Sequence, residues 1–285
     1  MKKILVVCCS ALLMVMGCKD RTPVNHDGVL PDEELVDTTD SDEANGEEEM
    51  LEELMAVEEP MPVAAEELFD DFFFNFASSM RVQLERTVFP LLIDKGGHTD
   101  TIERQEWKFN PFFMEQGYYT LIFDNQKQFE LVKDTAVDET VVETFLADVD
   151  AVVQHRFRRS GGKWQLYAAC QQALDANPNA SFVRFYRQFA IDSAFQQQSL
   201  GDVIEFSGRM SDDDEEEMEG FITPDSWEGF APQLPEPPLF NIVYGRQDSL
   251  AHQKIFIIRG ISNSEELEMT FRHEADGWKL VKLFE

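Results

Sequence analysis

The sequence predicts an α+β protein organised as two tandem units, each running helix first and strands later. Three observations carry that expectation. An aromatic stripe at helical spacing, Phe69, Phe72, Phe73, Phe76 and Ala77, returns 113 residues later as Phe182, Phe185, Tyr186, Phe189 and Ala190. Each stripe is followed by short runs rich in β-branched and aromatic residues. Each unit then closes in a hairpin whose turn glycine leads into a tryptophan, Gly162-Lys163-Trp164 and Gly277-Trp278. Residues at i, i+3, i+4, i+7 and i+8 share one face of a helix, and that face must be covered. A helix that buries such a stripe against an antiparallel sheet gives the α+β class.

The chain begins with an address. Met1, Lys2 and Lys3 make a basic start, and Ile4 to Met16 is apolar apart from Ser10, a run of 13 residues. As a helix this run reaches about 20 Å, short of the roughly 30 Å hydrocarbon core, so residues 1–17 read as a signal peptide and not as a transmembrane span. Val15-Met16-Gly17-Cys18 resembles the bacterial lipobox: an aliphatic residue, a tolerated one, a small one, then the cysteine to be lipidated. The resemblance implies diacylglycerol on Cys18, cleavage before it and acylation of the freed amine. One acyl chain binds marginally, at about 0.8 kcal/mol per buried methylene, so two or three chains make a firm anchor. The implied location is the bacterial cell envelope, with the membrane as partner through Cys18.

Cysteine use agrees. Cys8 and Cys9 leave with the signal peptide, Cys18 takes the lipid and Cys170 remains alone, so neither an intramolecular disulfide nor a thiolate zinc site is expected. Cys170 ends the apolar run that starts at Leu166 and reads as a small buried hydrophobe.

Residues 18–63 read as the lipidated cysteine and a disordered acidic tether. From Lys19 to Asp71 there are 20 acidic residues against two basic ones, and the first aromatic is Phe69. So little apolar surface cannot offset the entropy of ordering. A helical turn or two fits 47–59, where Met50, Leu51, Leu54 and Met55 share a face, until Pro60 and Pro62 end it. As a coil, about 45 residues extend roughly 35–40 Å. The formal net charge of −31 divides into −18 for residues 19–71, +2 for Lys2 and Lys3, and −15 for the remainder. A field of that sign repels a phosphate backbone and an anionic lipid surface, which excludes a nucleic-acid role.

The first unit covers 64–175 and the second 176–285. Helices are expected over 69–86 and 181–198, the second with Asn177-Pro178 as the turn before it and Ser181 as N-cap. Strands are expected over 118–123, 141–145 and 152–158, then over 241–244, 254–259 and 267–273. Ser160-Gly161-Gly162-Lys163 turns the chain into a strand over 164–167, and Asp276-Gly277 into one over 278–283. The offset holds between the ends. Gln83 matches Gln196, Leu91 matches Ile204 and Ile93 matches Phe206 at 113, while Phe157 with Phe271, Arg158 with Arg272, Trp164 with Trp278 and Leu166 with Leu280 match at 114. Trp107-Lys108-Phe109-Asn110-Pro111 and Trp227-Glu228-Gly229-Phe230-Ala231-Pro232 are similar but displaced by an insertion.

Helix-then-sheet units closing in Gly161-Gly162-Lys163-Trp164-Gln165-Leu166 and Asp276-Gly277-Trp278-Lys279-Leu280 resemble the nuclear-transport-factor-like cone fold. With the lipobox, the acidic tether and the tandem copies, residues 64–285 resemble lipoproteins of the Bacteroidota in a domain-of-unknown-function family. The resemblance implies two tandem nuclear-transport-factor-like domains, each with helices packed on a curved antiparallel sheet that can leave a cavity at the wide end of the cone. Members of that superfamily include isomerases and hydratases with an Asp or His base, and others that bind small molecules or protein partners.

The aromatics outside the helical stripes are the candidate cavity lining: Trp107, Phe109, Tyr118 and Tyr119 in the first unit, and Asp225, Trp227, Phe230 and Tyr244 in the second. Aromatic faces would hold a ligand and a carboxylate or hydroxyl would orient it. The alternative is that Trp107 and Trp227 plug the cone mouth or seal the interface between units. No catalytic residue stands out. None of His26, His98, His155, His252 and His273 pairs at metal-ligand spacing, and no phosphate loop or nucleophile elbow occurs, so no metal and no cofactor is expected. His155 alternates with Val153 and Phe157 and reads as a satisfied sheet histidine. The acid run Asp212 to Glu217 lacks the ligand order of a calcium loop and reads as a surface loop.

The function that follows is a non-enzymatic module of an envelope lipoprotein, binding a small molecule, a glycan or an envelope protein. Two alternatives stay open: an isomerase- or hydratase-type enzyme with one active cone, and a purely structural envelope protein. The enzyme requires a carboxylate or histidine whose pKa is shifted toward neutrality in one unit. The structural protein requires two filled cones.

Overall fold

The computed structural model describes residues 67–285 apart from 147–148, 210–216, 246, 248–249 and 263–264. The signal peptide, Cys18, the tether with its 47–59 turn, residues 64–66 and the acid run at 212–216 lie outside the described residues.

The first aromatic stripe forms α1, Phe69–Ser78, and the helix stops there instead of running on to Arg86. Ser79 is extended, with φ −136°, and its hydroxyl accepts the Val82 N–H at 3.4 Å, capping a new helix α2, Met80–Arg86. The second stripe behaves alike. Helix α3 spans Ala180–Ile191, and Asp192 caps α4, Ser193–Gln198, by accepting the Phe195 N–H at 2.9 Å. A short polar side chain that satisfies the free amide of the next turn competes with helix continuation, so each expected single helix is two. The N-cap position of α3 belongs to Asn179, not Ser181. Ser181 Oγ instead accepts the Trp278 indole N–H at 3.2 Å.

The strands are β1 Thr87–Lys95, β2 His98–Ile102, β3 Tyr118–Phe123, β4 Glu139–Phe145, β5 Ala151–Ser160, β6 Lys163–Ala173, β7 Leu200–Arg209, β8 Glu217–Ile222, β9 Leu239–Tyr244, β10 Gln253–Gly260, β11 Glu266–Glu274 and β12 Gly277–Phe284. The β5–β6 hairpin turns on Gly161 and Gly162, both at positive φ, a conformation a side chain disfavours. Strands β1, β2, β7 and β8 fall where the sequence reading placed none, although Leu91 and Ile204, matched across the repeat, are core residues of β1 and β7.

The twelve strands among the described residues join one sheet in the order β2-β1-β6-β5-β4-β9-β3-β10-β11-β12-β7-β8. The expected antiparallel sheet is corrected to a mixed one: β1–β6, β7–β12 and β3–β9 are parallel. Helix α2 delivers the chain directly into β1, which lies beside β6 and runs with it. The centre holds an exchange. Strand β3 pairs not with β4 but with β10, placing Ile122 opposite Phe256, while β9 pairs with β4, placing Ile242 opposite Val142. The two exchanged strands meet at Thr120 and Asn241.

Side chains alternate across a strand. In β10, Ile255 and Ile257 join a core with Phe69, Phe72, Phe73, Phe76 and Trp164, whereas Phe256 between them joins a second core with Phe182, Tyr186, Phe189 and Trp278. Helices α1 and α3 therefore cover opposite faces of the central strands. The repeat persists in ring geometry. Phe157 sets its ring edge-on to Phe69, Phe72, Phe73 and Phe76 at 5.3–5.9 Å, and Phe271 meets Phe182, Phe185 and Phe189 at 5.2–5.5 Å. Each such buried ring contributes roughly 1.5–3 kcal/mol, and well-set ring pairs add about 0.5–1.5 kcal/mol. Cys170, expected to be buried, is a half-buried free thiol on β6.

Candidate functional site

The eight aromatic and acidic residues read as cavity lining sit in different surroundings, from fully buried to exposed. Trp107 and Trp227 are buried and used for packing. Trp107 donates its indole N–H to Gln83 Oε1 at 3.1 Å, and Trp227 donates to Gln196 Oε1 at 2.8 Å. Phe109 is 45% exposed and Phe230 38% exposed, the latter resting on Phe206 with ring centroids 5.5 Å apart. Asp225 lies exposed in the 3-10 turn Pro224–Gly229, and Tyr118 is half-buried.

Tyr119 and Tyr244 do come together, on the α1 face of the exchanged strands. The Tyr244 hydroxyl donates to Asp70 Oδ1 of α1. Arg259 on β10 donates through Nη1 to Tyr119 Oη at 3.5 Å and through Nε to Glu266 Oε2 of β11 at 2.6 Å. Burial pushes the Asp70 carboxyl up, against the lowering pull of the Tyr244 hydroxyl and Arg259. Burial likewise raises both phenols, with the nearby Asp70 charge adding to the effect. Burial pulls Arg259 down, but Glu266 and Tyr119 outweigh it and hold the guanidinium firmly charged.

This cluster occurs on one side only. The residues at the repeat offsets are Val183 for Asp70, Phe145 for Arg259 and Val152 for Glu266, all buried in the α3-face core. Polar groups at these positions break the repeat, and that break was a signal open to sequence reasoning.

The α3 face has its own polar network, again without a counterpart. Glu143 of β4 is buried, with Oε1 accepting from Gln154 Nε2 at 2.9 Å and Asn177 Nδ2 at 2.6 Å, and Oε2 from Asn241 Nδ2 at 3.0 Å. Its repeat equivalent is Ile257. Burial raises the Glu143 carboxyl, opposed by the three amides and by Lys254. Lys254 of β10, whose side chain is 2% exposed, donates to Asp124 Oδ1 at 2.5 Å and to Asn179 Oδ1 at 2.7 Å. Asn179 Nδ2 donates to Gln247 Oε1 at 2.7 Å, and Gln247 Nε2 to the Ile122 carbonyl at 2.9 Å. The network draws on β3, β4, β5, β9, β10 and the N-terminus of α3. Pairing of this kind makes buried polar groups tolerable, and in this network Asn241 Oδ1 is left without a partner.

Above the Lys254–Asp124 pair opens a cavity of about 510 Å³, lined by Asp124, Asn125, Gln128, Gln247, Ala251, His252 and Gln253. Its lining is polar and its mouth is open to solvent. None of its residues is among the candidate lining read from the sequence, because the exchanged strand β3 carries Asp124 to a place its own sequence repeat does not indicate.

His155 is corrected as well. It packs on Phe112 with ring centroids 4.9 Å apart, but its Nδ1 has no partner, and burial pulls its pKa down to about 4, so it is neutral at pH 7. Among the described residues no group of three His, Cys, Asp or Glu side chains is placed to hold a metal ion. No helix among them is long and apolar enough to cross a membrane.

A family model described as a domain of unknown function, DUF4348, matches residues 47–285. The crystal structure of an NTF2-like protein from Bacteroides fragilis is similar at 37% sequence identity with a TM-score of 0.71, covering 79% of this chain and 98% of that one. The expected nuclear-transport-factor-like α+β fold is thus present, as a large curved mixed sheet with few helices. No curated protein matches the chain.

Proposed function

The chain belongs to the DUF4348 family, whose domain has no assigned function, and from that premise we propose that it is a non-enzymatic binding module carried on an envelope lipoprotein. In this reading Cys18 bears the lipid, the acidic segment to residue 63 holds the folded part off the membrane, and two interlocked NTF2-like copies present the site. The observation that carries the binding role is the solvent-open polar cavity of about 510 Å³, seated on the buried Lys254–Asp124 pair. Small-molecule sites commonly have about 300–1,000 Å³ of room and a few fixed polar groups. A thermal-shift screen of polar metabolites against the full chain tests it: a stabilising compound whose effect disappears when Ala251→Trp fills the cavity is the expected result, and a screen with no cavity-dependent compound rejects the role. The anchor has its own test. Cys18→Ala should leave the protein unlipidated and absent from the membrane fraction, and persistence there rejects lipid attachment.

One observation favours the enzymatic alternative. Asp70, half-buried with its pKa raised and hydrogen-bonded to Tyr244, is a carboxylate of the kind a proton-transferring isomerase or hydratase needs, and it occurs in one repeat only. Its side chain does not line the polar cavity. The binding role is therefore preferred.

A further inference from the structure

We infer that the ligand of the polar cavity is a neutral saccharide, an inference that rests on the binding role proposed above. Charge decides first. Asp124, the only carboxylate among the described residues of the lining, is paired from beneath with Lys254 Nζ at 2.5 Å. An anionic ligand would meet Asp124 and the acidic globular part, with no arginine or lysine among the described residues of the lining to receive it. A cationic ligand would meet the Lys254 ammonium directly behind the carboxylate.

Apolarity decides next. Among the described residues of the lining Ala251 is the single apolar side chain, and the cavity's other apolar surface is the carbon of polar side chains whose heads a hydrophobic ligand would leave without partners. What the cavity offers is amides. A carboxamide presents a donor pair and an acceptor side by side, which suits neighbouring hydroxyls that each donate and accept.

Several of these groups are already fixed. Gln247 is held at both ends, by Asn179 and the Ile122 carbonyl, and Gln128 Oε1 accepts the Asp124 N–H at 2.6 Å. Asn125 Oδ1 accepts the Lys127 N–H at 3.1 Å, which orients its Nδ2. That Nδ2, the Gln253 amide and the His252 imidazole have no hydrogen-bond partner among the described residues, so their capacity is available to a ligand. Fixed amides at Gln247, Gln128 and Asn125 beside unspent donors and acceptors lower part of the ordering cost of recognising a polyol.

Saturation-transfer NMR on the full chain tests this with glucose, galactose, mannose, N-acetylglucosamine and lactose as probes, and with succinate and putrescine as charged controls. At least one sugar should receive saturation, neither control should, and the signal should fall at least tenfold in Ala251→Trp and in Gln253→Leu. Circular dichroism and thermal melting show which variant keeps the fold, and either one that does suffices for the comparison. Sugar signals unchanged in the folded variant overturn the inference. A charged control that binds and is displaced by the variant overturns the saccharide class while leaving the binding role intact. Silence from every probe overturns both.

Discussion

Trp107 and Gln83 are joined by a buried hydrogen bond of 3.1 Å spanning 24 residues of chain, and the Gln83 amide does more than hold the indole. Its Oε1 also accepts the Asn110 N–H, and its Nε2 donates to the carbonyls of Phe76 at 3.0 Å and Asn110 at 2.6 Å. The amide thereby ties the end of α1 to the segment that carries Trp107. Gln83→Leu leaves two donors and two carbonyls without partners, and buried groups so stranded each cost about 1–3 kcal/mol. The expected loss is about 2–4 kcal/mol, since Trp107 is near enough to the surface for some rehydration, read as a lower urea midpoint at unchanged m-value. Gln196→Leu should cost less. Gln196 makes two such bonds, to Trp227 and to the Phe189 carbonyl.

That pair also shows how far the sequence could be read. Gln83 and Gln196 keep the 113-residue offset, as do the two phenylalanines whose carbonyls they bind, Phe76 and Phe189, so the repeated latch is written in the spacing. The helix breaks at Ser79 and Asp192 were legible too, as capping residues inside an otherwise helical pattern. The strand exchange was not. Tyr118–Phe123 and Leu239–Tyr244 are largely apolar along their whole length, as suits strands covered on both faces, but such runs do not name their neighbours. Polar sites at Asp70, Glu143 and Arg259 appear in the sequence only as failures of the repeat, opposite Val183, Ile257 and Phe145.

Asp70 should leave a signature in the pH dependence of stability. Burial raises its pKa in the folded protein above the ordinary 3.8, so the folded state holds this proton after the unfolded chain has released it. The unfolded state then binds fewer protons, and stability falls as pH rises. The contribution is fully present below the unfolded pKa near 3.8 and is lost as pH rises through the folded value. Glu143 and Glu268 are raised by burial as well, so Asp70 is isolated by difference. Denaturation curves from pH 4 to 7 should show wild-type stability declining relative to Asp70→Asn; parallel profiles would mean Asp70 titrates as it does in the unfolded chain.

The Lys254–Asp124 pair should couple strongly in a double-mutant cycle. Removing one member of a buried ion pair leaves an uncompensated charge and costs about 3–5 kcal/mol. Lys254→Met should cost up to that range, because Asp124, whose side chain is 8% exposed, loses this cation and Asn179 Oδ1 loses its donor. Asp124→Asn with Lys254→Met removes both charges, so the double variant should be more stable than the sum of the singles predicts by at least about 1 kcal/mol. Additive losses would show that the pair contributes no interaction of its own.

The exchange of β3 and β9 should make the two sequence repeats interdependent. In residues 67–175 alone, β4 would lose β9 along a register of six residue pairs, from Thr140 opposite Tyr244 to Phe145 opposite Leu239. Strand β3 would lose β10 over a register of equal length. Pairing β3 back onto β4 would repair the hydrogen bonds but not the chemistry. Glu143 would keep Gln154 and lose the Asn177 and Asn241 amides, and Asp124 would lose Lys254. In residues 176–285 alone, Lys254 would in turn lose Asp124 and be left a largely buried cation. Each half expressed alone should therefore lack a cooperative urea transition, and mixing the two should restore one near the midpoint of the intact chain. A cooperative transition in either half by itself would show that the exchange is dispensable and that each repeat closes on its own strands.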